Sequence, residues 1–186
     1  MKAPDKIKYS AKSIALIGIM AATLTGGKMA LSFLPNIEIV TLLCALYGYV
    51  FGPLGLVAVF IFVLCEMLIW GFGTWVVAYI IYWPLVCCVF FALGKFKIEN
   101  RVILTVIAAI LTAFFGAFTS LIDIGLFMGQ YDMFWYRFSV YYMRGIVYYI
   151  IHIVCNIACF LFVFRPLCGV LMKYKLKNIT KNVPKA

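Results

Sequence analysis

Glu38, Glu66, Asp123, Arg144, His152 and Asn156 stand in or beside long apolar runs. Carboxylates beside an imidazole can pass protons. The same carboxylates, with a guanidinium and an amide, can instead hold a polar solute through charge-assisted hydrogen bonds. Ionisable groups at membrane depth are costly and normally turn toward a cavity or a partner. Arg144, His152 and Asn156 follow one another at spacings of eight and four, which predicts one shared helix face. With Lys28, the set comes from several apolar runs, all at their outer halves, and one outward-facing polar pocket accounts for it most economically. Structural ion pairs, Lys28 with Glu38 or Arg144 with Asp123, account equally well for any single member.

The stretch Phe33-Leu34-Pro35-Asn36-Ile37-Glu38 sharpens the case. Pro35 and Asn36 are enough to turn the chain, so the glutamate that follows is the costly addition. Trp70, Trp75, Tyr79 and Trp83 cluster near one turn, and Phe134, Trp135, Tyr136, Tyr141 and Tyr142 near another. Interface belts explain many such aromatics. Aromatic walls beside a few convergent polar groups also suit a flat, ring-bearing solute.

Several chemistries lack their motifs. There is no phosphate-binding G-x-x-x-x-G-K-[ST]; "TGGKMA" lacks the spacing and the hydroxyl, so no ATPase site is expected. No H-E-x-x-H or G-x-S-x-G occurs. Cys155 and Cys159 lie one turn apart near His152, but no carboxylate or second ligand pair accompanies them, so no metal or cofactor is expected. All seven cysteines fall in or at the ends of apolar segments and read as packing residues.

The elements that position these residues follow from composition. Hydrophobic residues make up 67% of the 186 and charged ones 12%, with a mean hydropathy of +1.10. A soluble domain could not hide so much apolar surface, so the expectation is an all-α integral membrane protein. Spans need about 20 apolar residues each. The pattern predicts six helices, near 11–33, 37–52, 54–70, 75–94, 102–128 and 139–172, in one compact bundle over residues 1–186. Short basic tails are expected at about 1–10 and 173–186, with no cleavable leader. Breaks fall at Pro35-Asn36, Gly52-Pro53, Gly71-Phe72-Gly73, "GKFKIENR" and "GQYDMFWYR".

Of sixteen Lys and Arg residues, thirteen lie at the two ends of the chain and at Lys95, Lys97 and Arg101; only Lys28, Arg137 and Arg144 remain. The positive-inside rule then puts both termini and the fourth connection in the cytoplasm. The net charge of +10 is read as a topology signal and lipid attraction, with no nucleic-acid partner.

"IALIGIMAAT", "LPNIEIVTLL", "YGYVFGPLG", "WGFGTWVVAYIIYW" and "YYIIHIVCNIACFLFVFRPL", in that order over nearly the whole chain, resemble the substrate-binding S components of energy-coupling factor (ECF) vitamin transporters. The resemblance implies a six-helix prokaryotic plasma-membrane protein that is not an enzyme and captures a vitamin or related micronutrient from outside. It implies docking on a transmembrane coupling protein, the T component, with two cytoplasmic ATPases, and delivery by toppling in the membrane. The first outer loop would form part of a lid, with Asn36 and Glu38 at the mouth. Glu66, Trp75, Tyr79, Trp83, Asp123, Arg144, His152 and Asn156 complete the expected substrate-binding set.

The family's helix-1 Ala-x-x-x-Ala contact for the coupling protein is matched by Gly18 and Ala22, with glycine first, and Ala15 and Gly26 extend the stripe. Small residues at this spacing let helices approach closely; packing within the protein itself explains the spacing equally well. The pattern is most similar to S components of cobalamin-type substrates, while a pyridoxine-type vitamin or a purine-like precursor also suits aromatics with mixed charge. A small intramembrane enzyme using Glu66, Asp123 and His152, or a structural subunit of a membrane complex, are the alternative readings.

Overall fold

The computed structural model describes residues 10–127 and 132–180. Among them there is no strand; the chain is a bundle of helices. The helices are α1 (Ala11–Ala30), α2 (Val40–Phe51), α3 (Pro53–Trp70), α4 (Trp75–Lys95) and α5 (Arg101–Ile122), then α6 (Phe134–Ala158) and α7 (Arg165–Thr180). Wide π-helical turns extend α5 over Asp123–Phe127 and join α6 to α7 over Cys159–Phe164, so the last two run as one continuous helix. Five helical segments are long and apolar enough to cross a membrane, which is compatible with a multi-pass membrane protein.

Local chemistry sets the boundaries. Ser10 caps α1 by accepting a hydrogen bond from the Ser13 amide at 3.2 Å, and Asn100 caps α5 through the Val102 and Ile103 amides at 2.9 and 3.3 Å; both satisfy amides that a helix start leaves unpaired. Gly52, at φ 58°, makes the corner between α2 and α3, and Pro53 opens α3 where no amide is needed. The first helix stops at Ala30 rather than 33, because the chain turns before Pro35. The second begins at Val40 rather than 37, which leaves Glu38 in the connection. The last begins at Phe134 rather than 139, and the expected basic tail from 173 is helical as far as Thr180. Hydropathy marks where apolar residues end, whereas a helix can run on beyond them. Residues 1–9 of the expected N-terminal tail and 181–186 lie outside the described residues.

α2 is the centre of the fold. Ten of its twelve residues are buried: Val40, Thr41, Leu42, Cys44 to Gly48, Val50 and Phe51. At about 1.5 Å per residue it spans roughly 18 Å, too short for a bilayer, but protein surrounds it instead. Its approach to α4 is set by glycine. A methyl on Gly48 would lie 2.1 Å from the Cys87 carbonyl oxygen, and one on Gly94 would lie 2.4 Å from that of Tyr49. Phe62, Tyr82, Phe90, Phe160 and Phe164 fill the space around this pair with almost no exposure.

The two ends of the bundle differ. At one end, Ser10 and Lys12 of α1 share a groove with Phe51, Leu54, Tyr174 and Lys175; Lys175 donates to the Val50 carbonyl at 2.6 Å, and Arg165 pairs with Glu99 at 3.7 Å. The start of α1, the α4–α5 connection and α7 therefore meet at one end. The polar candidates gather at the other.

Candidate functional site

Residues from α1, the Leu31–Ile39 connection, α3, α4, α5 and α6 enclose a cavity of about 330 Å³. The connection lines it through Leu31, Ser32, Leu34, Pro35, Asn36, Ile37 and Glu38, with Lys28 from α1 and Val40 from α2 beside them. Asn36 adopts the left-handed backbone, φ 56°, which asparagine tolerates better than most residues. Tyr79 and Trp83 of α4, Trp70 of α3, Phe115 of α5 and His152 of α6 form the walls.

The walls are a chain of rings. Trp75 meets Tyr79 edge-on at 5.0 Å, Tyr79 meets Trp83 at 5.4 Å, Trp83 meets Phe115 at 5.6 Å, and Phe115 meets His152 edge-on at 5.6 Å. Such offset and edge contacts are favourable and hold each ring in place. Trp75 thus stands behind Tyr79 and supports it without lining the cavity.

An ion pair and a carboxylate–imidazole pair border this wall. Lys28 pairs with Glu66, which is fully buried, and not with Glu38 as the sequence allowed. The ammonium also lies 4.7 Å from the Tyr79 ring centre and 5.7 Å from that of Trp75, a cation–π arrangement. Glu38, in the connection, accepts from His152 Nε2 at 2.8 Å, Asn156 Nδ2 at 3.1 Å, the Thr41 hydroxyl at 2.6 Å and the Thr41 amide at 2.9 Å. Burial pushes the Glu38 carboxyl up, but the hydrogen bond and charge of His152, with Thr41 and Asn156, outweigh it and hold it below its ordinary value. Glu38 therefore ties the connection to α2 and α6.

Several buried polar atoms at this end have no partner: Trp83 Nε1, Glu66 Oε1 and Asn156 Oδ1. Orphaned buried groups are rare because each costs the desolvation of its hydrogen bond. Trp83 lines the cavity, but its unpaired N–H is itself buried.

Two expected members sit elsewhere. Asp123 accepts a hydrogen bond from the Tyr141 hydroxyl at 2.8 Å and makes no ion pair with Arg144. Arg144 is exposed beside Tyr136, Arg137, Val140 and Tyr141, while His152 and Asn156 are buried. The shared face fails on geometry: eight residues at 3.6 per turn leave about 80° of rotation, and twelve leave about 120°. Trp70 and Phe115 are the wall residues least apparent beforehand. Trp70 belongs to the aromatic cluster of the sequence, whereas nothing in "TAFFGAF" distinguishes Phe115 from its outward neighbour Phe114.

The small stripe on α1 faces outward. Ala15, Gly18, Ala22 and Gly26 are all exposed, and a methyl added at Gly18 or Gly26 would meet nothing within 4 Å. Ala22 and Gly26 border a shallow apolar groove with Thr25, Met29, Cys65, Leu68 and Ile69. Tight packing within the chain does not account for the stripe.

All seven cysteines are free, and no cluster of three or more metal-ligating residues occurs among the described residues. No protein-family model matches the chain, and no curated protein or solved structure matches it either.

Proposed function

We propose that the protein captures a small solute at the membrane surface, as the S component of an ECF-type importer, and passes it on when docked to an ATP-driven module. The observation that carries this reading is the cavity. It is of ligand size, walled by aromatic rings in edge and tilted contact, edged by polar groups, and lined by a connection that Glu38 ties to α2 and α6. It lies opposite the end where Lys12, Arg165 and Lys175 gather, so the positive-inside rule turns it outward. The exposed stripe of α1 gives a coupling protein a flat place to dock. A vitamin or related ring-bearing micronutrient suits the aromatic walls.

The enzyme reading has less to rest on. Glu66, Asp123 and His152 sit in three different pairs, with Lys28, Tyr141 and Glu38, and share no reacting point.

The test is to purify the full chain from cells, release whatever it retains, and identify it by mass spectrometry. A stoichiometric ring-bearing small molecule that rebinds, with ATPase subunits co-purifying in mild detergent, is the expected result. A protein that neither retains nor rebinds a solute, yet assembles stably with other membrane subunits, would instead be a structural component.

A further inference from the structure

Arg144 is placed where a charged residue is least at home. It lies ten residues into α6, about 15 Å from the helix start at 1.5 Å per residue. Its neighbours on that side, Val140, Met143, Val147 and Tyr148, are apolar or aromatic and exposed at 38%, 62%, 61% and 49%. In a protein that spans a bilayer this is a lipid-facing stripe. An arginine there needs an anion, because an unpaired charge facing hydrocarbon is expensive. Among the described residues neither Arg144 nor Arg137 makes an ion pair or a side-chain hydrogen bond, and Asp123 is held by Tyr141.

Arg137 stands seven residues earlier, close to two full turns, on nearly the same face. Both arginines line one groove of about 220 Å³ with Ile124, Tyr136, Val140 and Tyr141. Helical side chains lean toward the helix N-terminus, which here is the membrane-surface end. Arg144 therefore reaches back toward Arg137 and the headgroup level. The guanidinium fork matches the oxygens of a phosphate better than any other common anion at a bilayer surface.

We propose that Arg137 and Arg144 form a phosphate site for a lipid headgroup, separate from the solute cavity, with the acyl chains lying along the exposed apolar face of α6. The site rests on the membrane reading alone and is independent of what fills the cavity. A soluble phosphate ester would share the same chemistry, but the groove opens among lipid-facing side chains, and this favours the lipid.

Native mass spectrometry of the delipidated full-length protein tests this, with phosphatidylglycerol as the probe. Diacylglycerol of the same chain length and free glycerol phosphate serve as comparisons. The expected result is retention of phosphatidylglycerol and not of diacylglycerol, with no displacement by glycerol phosphate. Arg137→Gln with Arg144→Gln should cut retention by about tenfold or more, given the strength of charge-assisted hydrogen bonds. Arg165→Gln, at the opposite end, should change nothing. Should the double variant fail to fold, Arg144→Lys keeps the charge but loses the fork, and should lower retention at an unchanged melting temperature. Equal retention in wild type and in these variants overturns the site. Displacement by glycerol phosphate overturns the lipid assignment and makes the ligand a soluble phosphate ester.

Discussion

Glu38 accepts four hydrogen bonds from three residues, so it has little left to offer a solute. Its work is to tie the connection to α2 and α6. Its carboxyl is held below the ordinary 4.5, so it adds stability above that value and loses it as pH falls through the lower folded value. Glu38→Gln should lower the thermal midpoint near neutral pH, by the equivalent of about 1–3 kcal/mol for a buried group left unpaired. The gap from wild type should narrow as pH falls below the ordinary 4.5 and through the lower folded value. Thermal unfolding of both proteins in detergent reads this directly; a constant gap would mean that the carboxylate charge is not what holds the connection. Trp83 is the opposite case, a buried donor with no partner in the protein. Trp83→Phe thins a buried ring packed against Tyr79, Tyr82 and Phe115, so it should lower the melting temperature and, as a cavity wall is lost, weaken binding of the retained solute by about 1–3 kcal/mol. Calorimetry with the identified compound measures it, and equal affinity would assign the unpaired indole no part in recognition.

Among the elements, α2 and α1 respond oppositely to the same change. Gly48→Ala would drive a methyl into the Cys87 carbonyl, force α2 away from α4 and destabilise the fold by about 1–3 kcal/mol or more. Gly18→Ala meets nothing and should fall within about 0.5 kcal/mol of wild type. Urea or thermal titration of the two variants separates them. The difference was not legible in the sequence, where both are glycines in apolar helices. Helix number and order were legible, because length and hydropathy mark a span. The early end of α1 and the late end of α7 were not, since they depend on where the chain turns and on helix continuing past the apolar residues.

At the scale of the whole molecule, two expectations concern how it sits and what it meets. On a background without native cysteines, Asn36→Cys should react with an impermeant maleimide added outside, and Lys97→Cys should not. Strong labelling at 97 would reverse the proposed orientation. Gly18→Leu or Ala22→Leu should leave folding and solute binding intact, because both positions are exposed on the outward face of α1, while blocking assembly with the proposed ATPase module. Binding and pull-down from one preparation decide it; normal assembly with normal uptake would remove the stripe from the interface.

Composition and the length of the apolar runs pointed to apolar helices, because in lipid only helices and closed barrels satisfy the backbone and runs near 20 apolar residues suit a helix. Hydropathy also placed polar groups at matching heights along separate helices, since it is read along the chain. Only the tertiary structure decided who meets whom. Lys28 found Glu66 instead of Glu38, His152 and Asn156 took Glu38, and Arg144 was turned outward with Asp123 left to Tyr141. Those outcomes depend on the rotation of each helix about its axis. That rotation is set by glycine contacts and ring packing between segments distant in sequence, and no spacing within a single helix encodes it.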